Sequence, residues 1–370
     1  MGRVVLVTGV ARQLSGHFVR RVQREPDVDR VIGVDALRPP HDLGDADFVR
    51  ADIRQPDIAR LLAEHRVDTV VHMDVHGSSP LGVPGSGGGR GPVKEVNVIG
   101  TMQLLGACQK APSVRRLVVK STTSVYGGAP RDPAVFDESM PPKSLPGGGF
   151  AKDAVEVEGY VRGFARRRPD MSVTVLRFAH VLGPSMDSPL AGYFGLPVLP
   201  TVLGYDPRLQ FVHEDDAVEV LRLAAREPRR GTLNAGTFNI AGDGALLLSQ
   251  CARRLGRPTV PLLLPAIRWS RSLLQSVGVT DLSPEQVGLL THGRVVRTVQ
   301  MREIFGFEPH YTTAETFAAF AHSSGPGLLP PVTLARTVDR LAELVRRAAD
   351  RQRRARQERQ ERQEGAGHHG

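Results

Sequence analysis

The chain has 370 residues and a formal net charge of +9, with 41% of its residues hydrophobic and 24% charged. This composition excludes a disordered or fibrous protein, and no apolar run approaches the roughly 18 residues that a membrane-spanning helix needs. The positive charge fits an Arg-rich surface or the binding of an anionic ligand, and the sequence has no nucleic-acid-binding signature. Two cysteines far apart in sequence and the lack of a signal peptide favour a cytoplasmic protein.

Segments typical of strands and helices alternate through the first half of the chain. Short runs rich in Val and Ile predict strands over 3–9, 31–36, 47–53, 68–73, 115–122 and 172–179. Apolar residues at helical spacing predict helices over 13–23, 93–110 and 151–167. This alternation predicts an α/β fold of the Rossmann type, a doubly wound parallel sheet with helices on both faces.

The second half is less regular and richer in proline from about residue 183. Two of its segments, 208–220 and 236–242, still have the pattern of strands that return to the main sheet. We therefore predict a Rossmann domain over 1–183, completed by returning segments between 208 and 242. The remaining parts predict a smaller, discontinuous C-terminal domain, formed by 184–207 and 243–330.

Two segments have compositions unlike the rest of the chain. The stretch 77–92 is rich in Gly, Pro and Ser and follows a strand, which fits either a flexible connector or a flap over a ligand. The end, 331–370, passes from a helical pattern into an Arg/Glu/Gln run without an apolar face, and predicts a solvated helix or a disordered tail. Its two closing histidines are too few for a metal site, and the sequence predicts none elsewhere.

Six short segments share one known pattern. They read VTGVARQLSGHF (7–18), ADIRQP (51–56), VVHMDV (70–75), NVIGTMQLLGAC (97–108), STTSVYGGAP (121–130) and LRFAHVLGP (176–184). Together they resemble the extended short-chain dehydrogenases of the NAD-dependent epimerase/dehydratase family, such as UDP-glucose 4-epimerase, and the likeness runs from about residue 3 to about 320. The resemblance implies NAD as cofactor, a nucleotide sugar as ligand of the smaller domain, and a homodimer formed through the helices at 93–110 and 151–167.

The glycine-rich turn of the family, TGxxGxxG, is incomplete here. Gly9 is retained, but Arg12 and Ser15 occupy the other two glycine positions, and Gly16 comes one residue late. A side chain at position 12 should hinder close approach of the backbone to a diphosphate, although arginine is itself a phosphate ligand. A turn one residue longer, with Gly16 as the packing glycine, is the alternative. Asp74 adds a carboxylate where the family has a small residue, which disfavours binding unless a cation such as Arg12 pairs with it.

The resemblance also assigns the rest of the cofactor site. Asp35 ends the second strand, where a carboxylate binds ribose hydroxyls and repels the 2′-phosphate of NADP, so NAD is favoured. Arg38 nearby keeps NADP as the less favoured alternative. The positions that contact adenine or begin the characteristic family helix are Asp52, Ile53 and Asn97.

The catalytic positions are the least typical part of the resemblance. The family has Ser or Thr four residues before the tyrosine of its VYG motif, which gives Thr122, four residues before Tyr126. Its acid/base tyrosine and the lysine four residues later correspond to Phe150 and Ala154, which have no proton to transfer. None of the five tyrosines is followed by lysine at that spacing. Since a positioned acid/base contributes roughly 10²–10⁴-fold, turnover by the family's route should be very slow.

The sequence is compatible with three functions. The sequence favours a pseudoenzyme that binds a dinucleotide or a nucleotide sugar and acts as a sensor or partner protein. The first alternative is an active epimerase with a different acid/base, for which Asp74, Asp153 and His180 are candidates. The second alternative is an interaction scaffold that has lost cofactor binding.

The segment RLQFVHEDDAVEV (208–220) resembles the part of the family that contacts the phosphates of the nucleotide sugar. Arg208 and His213 are therefore candidate anion contacts. Asp215 and Asp216 follow at the start of a helical pattern and are predicted to cap that helix.

Overall fold

The computed structural model describes residues 2–77, 93–142, 149–227, 235–264 and 284–325. The predicted tail over 331–370 and nearly all of the Gly-rich stretch over 77–92 lie outside these ranges. Within the described ranges, no helix combines the length and the apolar character that crossing a membrane requires.

The strands of the described residues are short, and those of the first half follow the predicted runs. In chain order they are β1 (Arg3–Thr8), β2 (Val28–Asp35), β3 (Asp47–Arg50), β4 (Thr69–His72), β5 (Arg116–Thr122), β6 (Ser172–Phe178), β7 (His180–Leu182), β8 (Leu199–Val202), β9 (Arg208–Leu209), β10 (Phe211–His213), β11 (Gly236–Ile240), β12 (Leu246–Leu247) and β13 (Thr259–Leu262).

The helices alternate with the strands of the first half and continue into the second. They are α1 (Gln13–Val22), α2 (Asp57–Glu64), α3 (Thr101–Lys110), α4 (Phe150–Arg167), α5 (Pro189–Gly195), α6 (Glu214–Ala225), α7 (Leu248–Arg254), α8 (Pro284–His292), α9 (Val299–Glu303) and α10 (Thr313–Ser323). A π-helical segment, Glu95–Gly100, leads directly into α3, and a 3₁₀ turn, Thr123–Tyr126, follows β5.

Seven parallel strands form one sheet in the order β3-β2-β1-β4-β5-β6-β11. The predicted Rossmann-type fold is confirmed. The central strands are buried on both faces, which is why they read as continuous apolar runs. The strand order reverses between β1 and β4, and ligands of such sheets bind outside the carboxyl ends of the strands at that point. We call this place the crevice, bounded by the residues that follow β1, β4 and β5.

Each face of the sheet is covered by its own hydrophobic core. On one face, Phe18 of α1 and Leu221 of α6 pack with Val118 of β5 in a single cluster. On the other face, Leu104 of α3 and Val161 of α4 belong to the second cluster. A third core lies between the two-stranded sheets of the second half and the helices α5, α7 and α10. It is built around Phe194, Phe211 and Phe317. The predicted boundaries of the smaller domain stay a prediction.

The prediction that 208–220 returns to the main sheet is wrong. β9 pairs with β12 and β10 pairs with β7, so both lie in separate two-stranded sheets. α6 then begins at Glu214, because the side chain of His213 accepts a hydrogen bond from the backbone N–H of Asp215 (3.2 Å) and ends the strand. The prediction for 236–242 is confirmed, since β11 pairs with β6 along Gly236–Ile240.

The cap of α6 also differs from the prediction. His213 caps the helix, and neither Asp215 nor Asp216 does. The carboxylate of Asp216 instead accepts hydrogen bonds from the backbone N–H groups of His310 and Tyr311, each at 3.0 Å. Asp216 therefore ties α6 to the segment before α10, while its charge in the first turn still favours the helix dipole.

Candidate functional site

Gly9 brings the turn after β1 against the chain that leaves β4. Its φ of +76° lies in the region that favours glycine, and its N–H donates to the carbonyl oxygen of Val34 at 2.9 Å. A Cβ at this position would lie only 2.9 Å from the Cα of Asp74. The retained glycine is thus required both by backbone conformation and by this contact.

Gly16 has a packing role inside α1. A Cβ there would overlap the imidazole of His41, which lies in the loop after β2. Ser15, at the family's third glycine position, is itself buried. This arrangement favours the longer turn with Gly16 as the packing glycine, although contact of either residue with a cofactor stays a prediction.

Arg12 precedes α1 at the edge of the crevice. Burial lowers the pKa of its guanidinium, while the carboxylates of Asp74, Asp35 and Asp187 oppose that effect. Arg12 forms no hydrogen bond or ion pair through its side chain with any residue that the structure describes.

Asp35 lies at the end of β2, as the ribose-binding assignment requires. Its carboxylate accepts hydrogen bonds from the backbone N–H groups of Ala11 and Leu37, each at 2.9 Å. These bonds fix the carboxylate beside the turn after β1. Because an ionised carboxylate offers about four acceptor sites, two of them stay open to hydroxyl donors.

Asp52 and Ile53, assigned to adenine contact, and Asn97, assigned to the start of the family helix, all contact other residues of the protein. Arg54 binds the carboxylate of Asp52 (Nη2–Oδ2 2.6 Å), and this hydrogen bonding lowers the pKa of Asp52. Ile53 is buried against Gly100. Asn97 is buried, and its side chain bonds the backbone of His76 at both N–H (3.1 Å) and carbonyl (2.8 Å). Asn97 thus fixes the chain that leaves β4.

Asp74 is the most perturbed acid of the crevice. Burial first, and then the charge of Asp35, raise its pKa to about 7, against the opposing effect of Arg12. The Nε2 atom of His76 lies 3.6 Å from its Oδ1, and burial lowers the pKa of His76 to about 4. At neutral pH this pair therefore consists of a neutral imidazole and a carboxyl group that is partly protonated.

Lys120, near the end of β5, is a crevice residue whose head group the sequence could not place. Burial lowers the pKa of its ammonium to about 8, and the charge of Arg12 adds to the effect. Like Arg12, it makes no hydrogen bond or ion pair with the described residues. Its signal in the sequence is a lone lysine in an apolar strand, which does not reveal its surroundings.

The catalytic positions lie at the start of α4 and at the turn after β5. The Thr122 hydroxyl accepts a hydrogen bond from the backbone N–H of Ser124 (3.1 Å) and caps the 3₁₀ turn. Phe150 is the first residue of α4, and Gly77 approaches its ring. Ala154, one turn later, is 1% exposed and packs in a cluster with Tyr126. Neither helix position carries a titratable group.

The other candidate bases differ in how accessible their chemistry is. Asp153 is buried and accepts a hydrogen bond from Asn97 (3.1 Å). His180 begins β7, and its Nε2 is buried without a hydrogen-bond partner among the described residues. Burial, with the charge of Arg294, lowers the pKa of His180 to about 3. Asp153 is therefore not an exposed base, and the low pKa of His180 does not suit a base that works near neutral pH.

Arg294 is a site residue that the sequence analysis missed. Its guanidinium donates from Nε to the carbonyl oxygen of Gly127 and from Nη1 to Oγ of Ser124, both at 2.9 Å. It is 8% exposed, and burial lowers its pKa to about 10. A segment distant in sequence therefore holds the turn that follows β5. The only signal was an arginine in the segment THGRVVR.

The two candidate phosphate contacts are in different environments. Arg208 is exposed and donates to the carbonyl oxygen of Ala134 (3.3 Å). His213 is buried, caps α6, and stacks on the ring of Tyr311 with centroids 3.9 Å apart. The imidazole of His213 thus has a structural role, and anion contact by either residue stays a prediction.

The profile of the NAD dependent epimerase/dehydratase family matches residues 5–241. The chain belongs to this family. The matched range runs from β1 to the residue after β11, so it includes the crevice, the turn after β5 and the start of α4.

Similar proteins share most of the chain. An uncharacterized protein of Mycobacterium tuberculosis is 46% identical over 332 residues, which are 89% of this chain and 85% of that protein. The solved structure of UDP-glucose 4-epimerase from Thermotoga maritima with UDP-glucose has a TM-score of 0.64 and 20% identity, and covers 86% of this chain and 98% of that one. UDP-glucuronic acid 4-epimerase from Bacillus cereus, in complex with UDP-glucuronic acid and NAD, has a TM-score of 0.65 and 19% identity, with 87% and 98% covered. At these identities the two structures show a shared fold.

Proposed function

We propose that the protein binds an NAD-type dinucleotide together with a nucleotide sugar, with little or no turnover by the family's tyrosine–lysine route. The observation that carries this proposal is the pair Phe150 and Ala154 at the start of α4, one turn apart and both without a titratable group. Solved structures with the same fold include complexes with both NAD and UDP-glucuronic acid, which supports the choice of ligands.

The residues of the crevice fit a dinucleotide. Asp35 is fixed at the end of β2 with acceptor sites left for ribose hydroxyls. Arg12 places a guanidinium at the start of α1, where a diphosphate binds in this fold, and there it shares the crevice with the carboxylates of Asp74, Asp35 and Asp187. NAD is favoured over NADP because the Asp35 carboxylate repels a 2′-phosphate, and the exposed Arg38 keeps NADP as the weaker alternative. NAD, when bound, supplies a reversible hydride acceptor for the sugar.

The chain's own residues can orient a substrate but lack the family's proton-transfer pair. The Thr122 hydroxyl accepts from a backbone N–H, so its own proton is free to donate to a substrate oxygen. At Phe150 no group can take the proton from the reacting hydroxyl, and this loss costs roughly 10²–10⁴-fold in rate. Binding and orientation are retained in this proposal, while the chemical step is slow.

A second candidate function is an active epimerase with a different base. The pKa of Asp74, raised to about 7, is in the range of an efficient general base at neutral pH. Asp74 follows β4, however, beside Gly9 and not beside the helix positions that the family uses. We therefore rank it behind the binding protein. An interaction scaffold without cofactor is the third candidate.

Ligand binding is tested first by thermal unfolding with and without millimolar NAD, NADH, NADP, UDP-glucose and UDP-glucuronic acid. A ligand at about 100 times its dissociation constant adds about 2.7 kcal/mol, which raises the Tm by several degrees. We expect a shift with NAD and a smaller one with NADP. If no nucleotide shifts the Tm of the folded protein, the scaffold is the better description.

Catalysis is tested by restoring the pair with Phe150→Tyr and Ala154→Lys in one chain. We expect 4-epimerase activity with UDP sugars to appear or rise strongly in this double variant, measured under NAD saturation. Phe150→Tyr alone and Phe150→Leu serve as controls that lack the complete pair. Strong epimerase activity of the unaltered protein would contradict the proposal and favour the active enzyme.

We also propose a homodimer that forms through α3 and α4, as the family resemblance implies. The exposed apolar residues Ile99, Met102 and Tyr160, on these two helices and the π-helical segment before α3, support this proposal.

A further inference from the structure

Two short strands outside the main sheet end side by side and leave apolar residues exposed. β8 and β13 pair in parallel, with Val202 opposite Leu262 in the register. The residues that follow, Leu203 and Leu263, therefore leave the strands next to each other, and the N–H of Leu203 donates to the carbonyl oxygen of Leu262 (2.8 Å). These two leucines are 44% and 61% exposed. An apolar surface thus lies at the carboxyl ends of β8 and β13.

Neighbouring side chains extend this surface. Tyr205 follows Leu203 after a turn, Leu264 follows Leu263, and Val260 lies on β13; all are exposed. We call the set Leu203, Tyr205, Val260, Leu263 and Leu264 the β8–β13 surface. It holds five of the eleven large apolar side chains that are exposed in the described part of the chain. Such a concentration marks an interaction site and not the usual scatter of single apolar residues.

The backbone of β13 argues against a partner that adds a strand. The carbonyl oxygens of Pro258 and Leu262 accept hydrogen bonds from β8 and from the residue that follows it, so they face β8. Backbone groups alternate along a strand, which places those of Pro261 on the outer edge of β13, where no described strand pairs. Proline has no N–H to donate, so this edge lacks a donor at its centre. A partner must bind mainly through apolar contacts.

The charges around the β8–β13 surface favour an anionic partner. The sequence over 244–280 contains five arginines and no Asp or Glu. Arg253 and Arg254, in the last turn of α7 before β13, are exposed. The acid next to the surface, Asp206, accepts hydrogen bonds from the N–H (2.9 Å) and the hydroxyl (2.7 Å) of Ser249. Arginines beside exposed aliphatic and aromatic side chains are typical of surfaces that bind lipid headgroups.

We propose that the β8–β13 surface docks on a lipid bilayer that contains anionic phospholipids. Leu203 and Leu263 enter the boundary between headgroups and acyl chains, and the ring of Tyr205 lies at the level of the headgroups, where aromatic side chains with a polar end are favoured. Arg253 contacts the lipid phosphates. Acyl chains accept and donate no hydrogen bonds, so the donor that is missing at Pro261 does not weaken this contact. The association is peripheral and does not depend on a bound nucleotide.

Co-sedimentation of the full chain with lipid vesicles tests this proposal. Vesicles of phosphatidylcholine alone are compared with vesicles of equal parts of phosphatidylcholine and phosphatidylglycerol. We expect binding to the mixed vesicles, and about tenfold weaker binding to phosphatidylcholine alone, because the arginines lose the attraction of the anionic headgroups. Binding to the mixed vesicles should also weaken as the ionic strength rises from about 0.1 M to about 1 M, since salt screens this attraction.

Three variants test whether the β8–β13 surface makes the contact. Leu263→Glu should weaken binding to the mixed vesicles by about tenfold or more, because it removes apolar surface and adds a charge that the headgroups repel. Arg253→Gln should weaken it by about fivefold and reduce its dependence on salt. The matched control is Leu37→Glu, because Leu37 is 64% exposed, like Leu263, but lies in the loop after β2. It should bind vesicles like the unaltered protein. The Tm of each variant should be unchanged, since exposed side chains contribute little to stability.

Other results would overturn the proposal. If the unaltered protein sediments with neither kind of vesicle, the surface does not bind lipid. If Leu263→Glu binds vesicles as well as the unaltered protein does, the lipid contacts another part of the chain. If Leu263→Glu keeps vesicle binding but lowers the Tm or changes the mass in light-scattering chromatography, the β8–β13 surface is covered by this chain or by a second copy.

Discussion

Asp74 affects the crevice in two ways, through its backbone and through its carboxyl group. Its backbone forms the contact that requires glycine at position 9, and its carboxyl group lies in a region where Asp35 repels a second charge. Its side chain is only 16% exposed. Ionisation at this place is therefore unfavourable, although Arg12 reduces the penalty. An acid here makes both the stability and the anion affinity of the crevice depend on pH.

Replacing Asp74 with asparagine should raise stability at alkaline pH. The folded-state pKa is raised from 3.8 to about 7, so between these values the unfolded chain has lost its proton while the folded chain keeps it. The free energy of unfolding of the unaltered protein therefore falls as the pH rises through that window, by at most about 4 kcal/mol, and is constant with respect to this group above it. We expect Asp74→Asn to be more stable at pH 8 by about 1–3 kcal/mol.

Urea unfolding of both proteins at several pH values measures this effect. The difference in unfolding free energy should grow from acid to neutral pH and then stay level. Asp45→Asn is the matched control, because Asp45 is exposed on the loop before β3 and its replacement should change stability by less than about 0.5 kcal/mol. A difference that does not change with pH would show that Asp74 is not buried in this way.

Single residues were predictable where a motif fixes their position along the chain. Gly9 and Asp35 lie where the turn and the strand pattern place them, because both follow directly from the end of a strand. Lys120 and Arg294 were not predictable as site residues. Their importance comes from burial and from missing or distant partners, and those depend on packing between segments far apart in sequence.

The elements around β5 are held together by one buried ionic network. Glu158 of α4 pairs with Arg177 of β6 at 2.7 Å, with side chains 1% and 3% exposed. Ser121 of β5 donates to Glu158 (2.6 Å), and Arg177 donates to the hydroxyl of Tyr126 (2.7 Å). Tyr126 donates in turn to Asn239 of β11 (2.8 Å). The network thus fixes α4 and the turn after β5 to three neighbouring strands.

Breaking this pair from one side should be strongly destabilising. Glu158→Gln leaves the Arg177 charge buried without a countercharge, and we expect a loss of about 3–5 kcal/mol in unfolding free energy. The double variant Glu158→Leu with Arg177→Met removes both charges and should lose less than Glu158→Gln alone. Guanidinium unfolding measures all of these variants.

An exposed ion pair of the same chain provides the comparison. Arg60 and Glu64 of α2 lie 3.6 Å apart with side chains 69% and 58% exposed, so Glu64→Gln should cost about 0.5 kcal/mol or less. Equal losses from Glu158→Gln and Glu64→Gln would mean that burial of the first pair does not matter. The double variant then separates the charge from the packing contribution.

Elements of the first half were predictable because each carries a local signal. Runs of apolar residues gave β1 to β6 to within a few residues, since parallel strands covered on both faces need such runs. The second half was harder to predict. Phe211 and Val212 are as buried as residues of the main sheet, but the cap at His213 turns the chain into α6. The apolar pattern therefore predicted a strand, although not which sheet it joins.

The helices α3 and α4 present apolar residues to solvent. Ile99 and Met102 are 45% and 46% exposed, at helical spacing across the junction of the π-helical segment with α3. Tyr160 of α4 is 41% exposed. Gly106 of α3 has nothing within 4 Å of where a Cβ would lie, so another chain can approach the helix closely there. α3 and α4 share one core cluster, so these residues belong to neighbouring helices.

This surface is the expected contact between two copies of the chain. A charge placed on both helices should separate the two copies, because burying an unpaired carboxylate in an apolar interface is strongly unfavourable. We expect the unaltered protein, with a chain mass of 40.1 kDa, to elute with twice that mass in light-scattering chromatography, and Met102→Glu with Tyr160→Glu to elute as a monomer.

Leu203→Glu is the control for the dimer, because Leu203 is 44% exposed just after β8 and belongs to neither helix. It should leave the mass unchanged. A monomeric unaltered protein would contradict the dimer. Since α4 also carries Phe150 and Ala154, a dimer that forms through this helix would stabilise the part of the crevice beside them. NAD affinity measured on the monomeric variant then shows whether the crevice depends on the second copy: equal affinity in both forms would mean that each chain binds its ligand independently.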